Sequence, residues 1–109
     1  MQTRPFGQTG RSVSAVGYGA WAIGGSMWGG PRDAEAIPAL EKALDLGVTL
    51  IDTALVYGDG HSEELVGRVM KARNAWDHVL VATKVPPKNL EWPGKNGTPV
   101  QEAFPRDWI

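Results

Sequence analysis

Three residues of different chemistry stand at or just past the ends of two short apolar runs: Asp52 closes VTLID, Tyr57 follows five residues later, and Lys84 closes HVLVATK. A phenol with a pKa near 10 is a poor acid at neutral pH. A nearby ammonium stabilises the phenolate, and each unit of pKa is worth about 1.4 kcal/mol. A carboxylate beside the lysine would keep that ammonium charged and aimed. The trio together makes a tuned tyrosine proton donor, the group needed to protonate a carbonyl oxygen as a hydride arrives. Taken singly, each residue has an ordinary reading: Asp52 as a cap, a turn residue or a ribose-binding acid, Tyr57 as a loop aromatic, Lys84 as a solvated charge.

The flanking pattern says which elements must hold these groups. Thr3–Phe6 and Ser12–Ala15, separated by GQTGR, predict a hairpin turned by Gly7 and Gly10. Val16–Gly19 predicts a first buried strand, and the glycine-rich stretch from Trp21 to Arg32 a loop. Asp33 is placed to cap a helix whose Ile37, Leu40 and Leu44 share one face and which Gly47 terminates; Pro38 would delay or kink its start. Val48–Asp52 predicts a second strand, apolar without alternation as if covered on both faces. Ser62, with Glu63 and Glu64 behind it, predicts the start of a second helix that buries Leu65, Val66, Val69 and Met70 and that Asn74 closes. His78–Thr83 predicts a third strand. The run from Val85 to Pro105 holds five prolines and two glycines and is long for a plain connector, so a functional loop is expected; Pro105–Asp107 reads as the first turn of a third helix. Strands and helices alternating in this order predict an α/β architecture with a parallel sheet.

Several motifs in this order resemble the aldo/keto reductase family: DTA..YG.GHSE after the second strand, TK at the end of the third, and an opening, RPFGQTGRSVSAVGYGAWAIGG, similar to the family's amino-terminal hairpin, first strand and first loop. The resemblance covers nearly the whole chain. It implies an incomplete (β/α)8 barrel, residues 1–109 forming its amino-terminal part with a hairpin, about three parallel strands and two helices. It implies an oxidoreductase that reduces aldehydes or ketones to alcohols with NADP(H), with Asp52, Tyr57 and Lys84 as three of four catalytic residues. The fourth, a histidine after the next strand, has no counterpart here: His61 lies in the GHSE turn, as a residue that caps or orients the second helix, and His78 opens the third strand, structural or exposed. The resemblance also places Gly19, Ala20 and Trp21, with Asp52, at the nicotinamide end of the cofactor, whose phosphates the family holds from later barrel segments. The chain alone is therefore expected to be inactive. The alternative is a regulatory or interaction module that keeps part of the fold without catalysis.

Length and composition bound these readings. One hundred and nine residues make one modest domain, or part of a barrel of roughly 250 residues. A net charge of −1 gives no reason to expect nucleic acid or a membrane surface as partner. No apolar run approaches the roughly 20 residues of a membrane span, and MQTRPFGQTG has no apolar core of a secretory signal. With no cysteine, disulfides are excluded, and a cytoplasmic location is the default expectation. Three parallel strands cannot close a barrel, so their open edges invite self-association.

Five tryptophans are many for this length. Trp21, Trp28 and Trp92 fall in predicted loops; Trp21 and Trp28, with Tyr57, are candidates for a pocket that takes a small carbonyl compound, the alternative being cover for the core. Trp76 and Trp108 read as structural. GYGAWA, Gly17 to Ala22, matches a dinucleotide-binding fingerprint in letters only, because GGSMWGGP follows where a helix would have to start. The two histidines have no metal-site spacing.

Overall fold

The computed structural model describes residues 1–25, 33–91 and 94–109. Strands β1 (Thr3–Pro5) and β2 (Ser12–Ser14) form an antiparallel hairpin, with Gly7 and Gly10 at positive φ in its turn. A second sheet, in the order β3 (Tyr18–Gly19), β4 (Leu50–Asp52), β5 (Leu80–Ala82), is wholly parallel. Helix α1 (Asp33–Asp45) joins β3 to β4, and α2 (His61–Ala72) joins β4 to β5. The α/β reading and its order thus hold, with strands shorter than the apolar runs because only residues 18–19, 50–52 and 80–82 pair.

Both helices stop by the same device. Gly47 adopts φ 88°, its N–H donates to the Leu44 carbonyl at 2.9 Å, and the Val48 N–H donates to Ala43 at 3.1 Å. At the end of α2, Asn74 takes φ 47°, its N–H donates to Lys71 at 3.2 Å, and the Ala75 N–H donates to Met70 at 3.0 Å. A left-handed residue that closes two carbonyls in this way is a Schellman termination, for which glycine and asparagine carry the smallest steric cost. Pro38 neither delays nor ends α1, which runs through it from Asp33.

The core lies between the helices and one sheet face. Leu40, Ile51, Leu65 and Met70 are fully buried there, joined by Val66, Val69 and Val79. Side chains alternate across a strand, so Ile51 faces the helices while Leu50 and Asp52 face away. The register pairs Leu50 with Leu80, and Asp52 with both Gly19 and Ala82, so all of these share the face opposite the helices. There Asp52 is exposed and Leu50 and Leu80 half-buried. The expectation that the second strand is covered on both faces is therefore corrected: among the described residues, helices cover one face. The hairpin docks at the opposite end of the sheet from the catalytic candidates, where the Ser14 N–H donates to Thr49 Oγ1 (2.8 Å) and the Thr49 N–H to Ser14 Oγ (2.9 Å).

The radius of gyration, 15.6 Å, exceeds the roughly 13 Å of a compact domain of this length, and the shortest dimension is 21 Å. Among the described residues, a slab with helices on one sheet face only and no strand beyond β3 or β5 accounts for this. The third helical turn is also misplaced by sequence reading: α3 (Val100–Ala103) precedes Pro105, and residues 105–108 form a turn closed by the Trp108 N–H on the Pro105 carbonyl. Trp108 is tied down through its indole N–H, which donates to the Pro86 carbonyl at 2.8 Å. Trp76 is 54% exposed, so its structural reading is not met. Among the described residues no helix is long and apolar enough to cross a membrane.

Candidate active site

Strand parity brings the predicted acid and amine together. Asp52 ends β4 on the bare face, and Lys84, two residues beyond Ala82, keeps the same parity on the neighbouring strand. Lys84 Nζ donates to Asp52 Oδ1 (2.9 Å), Asp52 Oδ2 (3.0 Å) and the Thr53 carbonyl (2.9 Å). Three acceptors match the three protons of an ammonium. The same Nζ sits 5.0 Å from the centroid of the Tyr57 ring. The structure thus gathers Asp52, Tyr57 and Lys84 from positions 32 residues apart.

Desolvation pulls the Lys84 pKa down, but the hydrogen bonds and charges of Asp52, with Tyr57, outweigh it and leave the group above the ordinary lysine value. A raised folded pKa means that the ion pair stabilises the fold fully below the unfolded value near 10.5 and that this contribution is lost as pH rises through the folded value. With both side chains about half exposed, at 51% and 52%, the pair contributes no more than about 1 kcal/mol. The stability difference between the native chain and Lys84→Met is therefore expected to be constant near neutrality and to shrink above about pH 10.5, as urea titrations at a series of pH values would read. A difference that grows with alkalinity would contradict the geometry.

Tyr57 is held by its loop rather than by its side chain. Its N–H donates to Ala54 at 3.0 Å and its carbonyl accepts the Ser62 N–H at 3.1 Å, while its ring stacks on Trp21 at 6.1 Å and 29°. Trp21 is 48% exposed, so it does not serve as core cover. An apolar groove of about 140 Å³ opens beside Tyr57 and Lys84, walled by Val56, Pro86, Pro87 and Phe104. Trp21 is not one of its lining residues and belongs to the site through its stack on Tyr57. Sequence reading missed Phe104 and the proline pair as walls; the one signal was the unusual length of the loop that carries them. Trp28, the other pocket candidate, and Trp92 lie outside the described residues.

Of the predicted cofactor contacts, Gly19 faces open space: a Cβ built there meets no atom within 4 Å. Ala20 is corrected to a supporting role. It is fully buried, its N–H donates to the Asp52 carbonyl (2.8 Å), and its own carbonyl accepts the Ser62 hydroxyl (2.7 Å). The start of α2 is likewise spoken for, since the N–H groups of His61, Ser62 and Glu64 donate to the carbonyls of Gly58, Tyr57 and Gly60. That glycine-rich turn is no phosphate cradle, whose amides would have to be free. Among the described residues, the start of α2 thus offers no ready cradle for a cofactor phosphate.

Ser62 is also not the helix cap that its position predicts. Helix α2 starts one residue earlier, at His61, with Gly60 at φ 94° in the cap position, and the Ser62 side chain turns into the core. His61 does orient the helix pair: its Nε2 lies 2.8 Å from Asp33 Oδ1, at the start of α1, and Arg68 adds a contact at 3.8 Å. His78 is exposed and precedes β5, at the end of the strand opposite Lys84. Among the described residues no group of three metal-ligating side chains occurs.

Comparison with known proteins agrees with this geometry. The sequence profile of the aldo/keto reductase family matches residues 15–104. The chain is 46% identical over 92 residues to the aldo-keto reductase YhdN of Bacillus subtilis, covering 84% of this chain and 27% of that protein. It is 40% identical over 86 residues to an NADH-specific methylglyoxal reductase of Escherichia coli, covering 77% and 26%. Among solved structures, a glycerol dehydrogenase from Gluconobacter oxydans superposes with a TM-score of 0.65 at 42% identity, over 87% of this chain and 28% of that one. The chain thus spans about a quarter of the length of the relatives it matches. A parallel β/α order, an Asp–Lys pair at two strand ends, a tyrosine under the ammonium and a profile match over most of its length together establish that the chain belongs to the aldo/keto reductase family.

Proposed function

We propose that these residues form the proton-donating half of a carbonyl reductase that converts an aldehyde or ketone to the alcohol, with NADP(H) as redox partner. The observation that carries this reading is the Lys84 ammonium, fixed on both oxygens of Asp52 and 5.0 Å from the Tyr57 ring centre. The nicotinamide cofactor, when bound, supplies the hydride. Tyr57 delivers the proton to the carbonyl oxygen, Lys84 stabilises the phenolate left behind, and Asp52 holds Lys84 in place. Gly19, Trp21 and Asp52 border the space for the ring end of the cofactor, and the groove beside Tyr57 takes the apolar part of the substrate. Among the described residues, neither a histidine after a fourth strand nor a phosphate site completes the machinery, so this chain alone is expected to leave carbonyl compounds unreduced.

The test is a chimera in which residues 15–104 replace the matching segment of the Bacillus relative, assayed for carbonyl-dependent oxidation of NADPH and of NADH over a panel of aldehydes and ketones. Reduction of at least one carbonyl compound, with either cofactor, is the expected result. A folded chimera that binds cofactor and turns over no carbonyl would instead support a regulatory or interaction module.

A further inference from the structure

We propose that Ser62 is a positioning residue: a single buried serine ties together the loops that carry Trp21, Asp52, Tyr57 and Lys84. The proposal rests on the catalytic reading of Asp52, Tyr57 and Lys84. Ser62 makes three contacts to two segments, the loop after β3 and the loop between β4 and α2. Its N–H donates to the Tyr57 carbonyl at 3.1 Å, its hydroxyl donates to the Ala20 carbonyl at 2.7 Å, and its Oγ lies 2.9 Å from Thr53 Oγ1.

The proton count sets the direction of this chain. A hydroxyl has one proton, and the Ala20 carbonyl can only accept, so the Ser62 proton goes there. Thr53 Oγ1 is therefore the donor to Ser62. Ala20 in turn donates its N–H to the Asp52 carbonyl at 2.8 Å, which closes a ring of hydrogen bonds through Ala20, Asp52, Thr53 and Ser62. Two functional groups hang directly from this ring. The Thr53 carbonyl accepts Lys84 Nζ, and Trp21 follows Ala20 in the chain.

Burial makes the ring stiff. Ser62 is 0% and Thr53 1% exposed, so water cannot replace a missing partner, and an unpaired buried polar group costs far more than a bond gained from water. Ser62 is moreover the second residue of α2, whose Leu65, Val66, Val69 and Met70 are locked in the core. The helix therefore serves as the fixed frame, and Ser62 is where the active-site loops are fastened to it.

Ser62→Ala removes both side-chain bonds and leaves the Thr53 hydroxyl and the Ala20 carbonyl without partners. In the 109-residue chain, NMR titration of the Lys84 side chain is the readout, because it reports how Lys84 sits against Asp52 and Tyr57, whose loop Ser62 fastens, without needing activity. The native chain should titrate above the ordinary lysine value, and Ser62→Ala should lose that elevation. Thr53→Val, which keeps the side-chain shape and removes the donor, should lose it too, and carries the test if Ser62→Ala does not fold. Val69→Ala, a core truncation one turn and more along the same helix, destabilises without touching the ring and should leave Lys84 unchanged. An unshifted Lys84 in the serine and threonine variants, or an equal shift in Val69→Ala, would overturn the positioning role. Full carbonyl reduction by a Tyr57→Phe chimera would overturn the catalytic reading instead, which this titration does not touch.

Discussion

Tyr57→Phe is expected to lower carbonyl reduction by about 10²–10⁴-fold in the Bacillus chimera, the range for loss of a general acid, equivalent to about 3–5 kcal/mol of transition-state stabilisation. The substitution is a clean one here. Phenylalanine keeps the ring stack on Trp21 and the backbone bonds of the loop, and loses only the interaction of the hydroxyl with Lys84. The hydroxyl acts only as the alkoxide develops, so the loss should fall on kcat and leave the cofactor dissociation constant nearly unchanged. Single-turnover rates with saturating NADPH, beside a fluorescence titration of the cofactor, separate the two. Undiminished kcat in the phenylalanine variant would remove Tyr57 from the mechanism, and a loss confined to cofactor affinity would reassign it to binding.

The parts of this site that sequence alone reveals are those set by local rules. Asp52 and Lys84 lie on one face of adjacent strands because side-chain direction alternates with period two, which can be read once the strand ends are placed. Gly47 and Asn74 end their helices because a left-handed residue must follow the last turn, and few residue types accept that conformation at low cost. The buried face of α2 follows from helical spacing in the same way.

What sequence hides depends on partners distant in the chain. Ser62 stands where a helix cap belongs and has acids behind it, yet its hydroxyl bonds to a carbonyl 42 residues upstream. Propensity describes what a serine can do locally, and a tertiary hydrogen bond in a dry site outweighs it. The same holds for Phe104, which joins Tyr57 in one groove only because the long loop folds back, with the Lys88 N–H donating to the Ala103 carbonyl at 2.8 Å. Ala20, which the family resemblance puts at the nicotinamide end, is sealed in the core, since the residue that follows a strand end can face either way.

The second large effect is expected at a contact between two glycines that nothing in their sequence surroundings announces. Gly58 follows Tyr57, and a Cβ built on it would lie 1.9 Å from the Gly24 carbonyl oxygen and 2.7 Å from its carbon. These are backbone atoms, so no rotamer change relieves the overlap; the loop after β3 and the loop bearing Tyr57 would have to part. Gly58 also has φ +72°, a conformation that costs an L side chain about 1–2 kcal/mol by itself. Gly10 supplies the control, because it has almost the same φ, +73°, with nothing within 4 Å of its Cβ. Gly10→Ala should therefore lose only the backbone cost. Gly58→Ala should lose that and the loop contact, about 3 kcal/mol or more in total, a large share of the 5–15 kcal/mol that holds a typical domain. Gly24→Ala isolates the remaining factor: its φ is not positive, yet its Cβ would stand 2.4 Å from the Tyr57 carbonyl oxygen, so its cost is the contact alone. Urea midpoints for the three variants should fall in the order Gly10→Ala, Gly24→Ala, Gly58→Ala, from least to most destabilised. In the chimera, Gly24→Ala should also depress carbonyl reduction if Tyr57 is the proton donor proposed above, because it pushes directly on the Tyr57 backbone. Equal midpoints for Gly10→Ala and Gly58→Ala would mean that the two loops do not meet, and that Tyr57 is held in place by its own turn and not by the loop that follows the first strand.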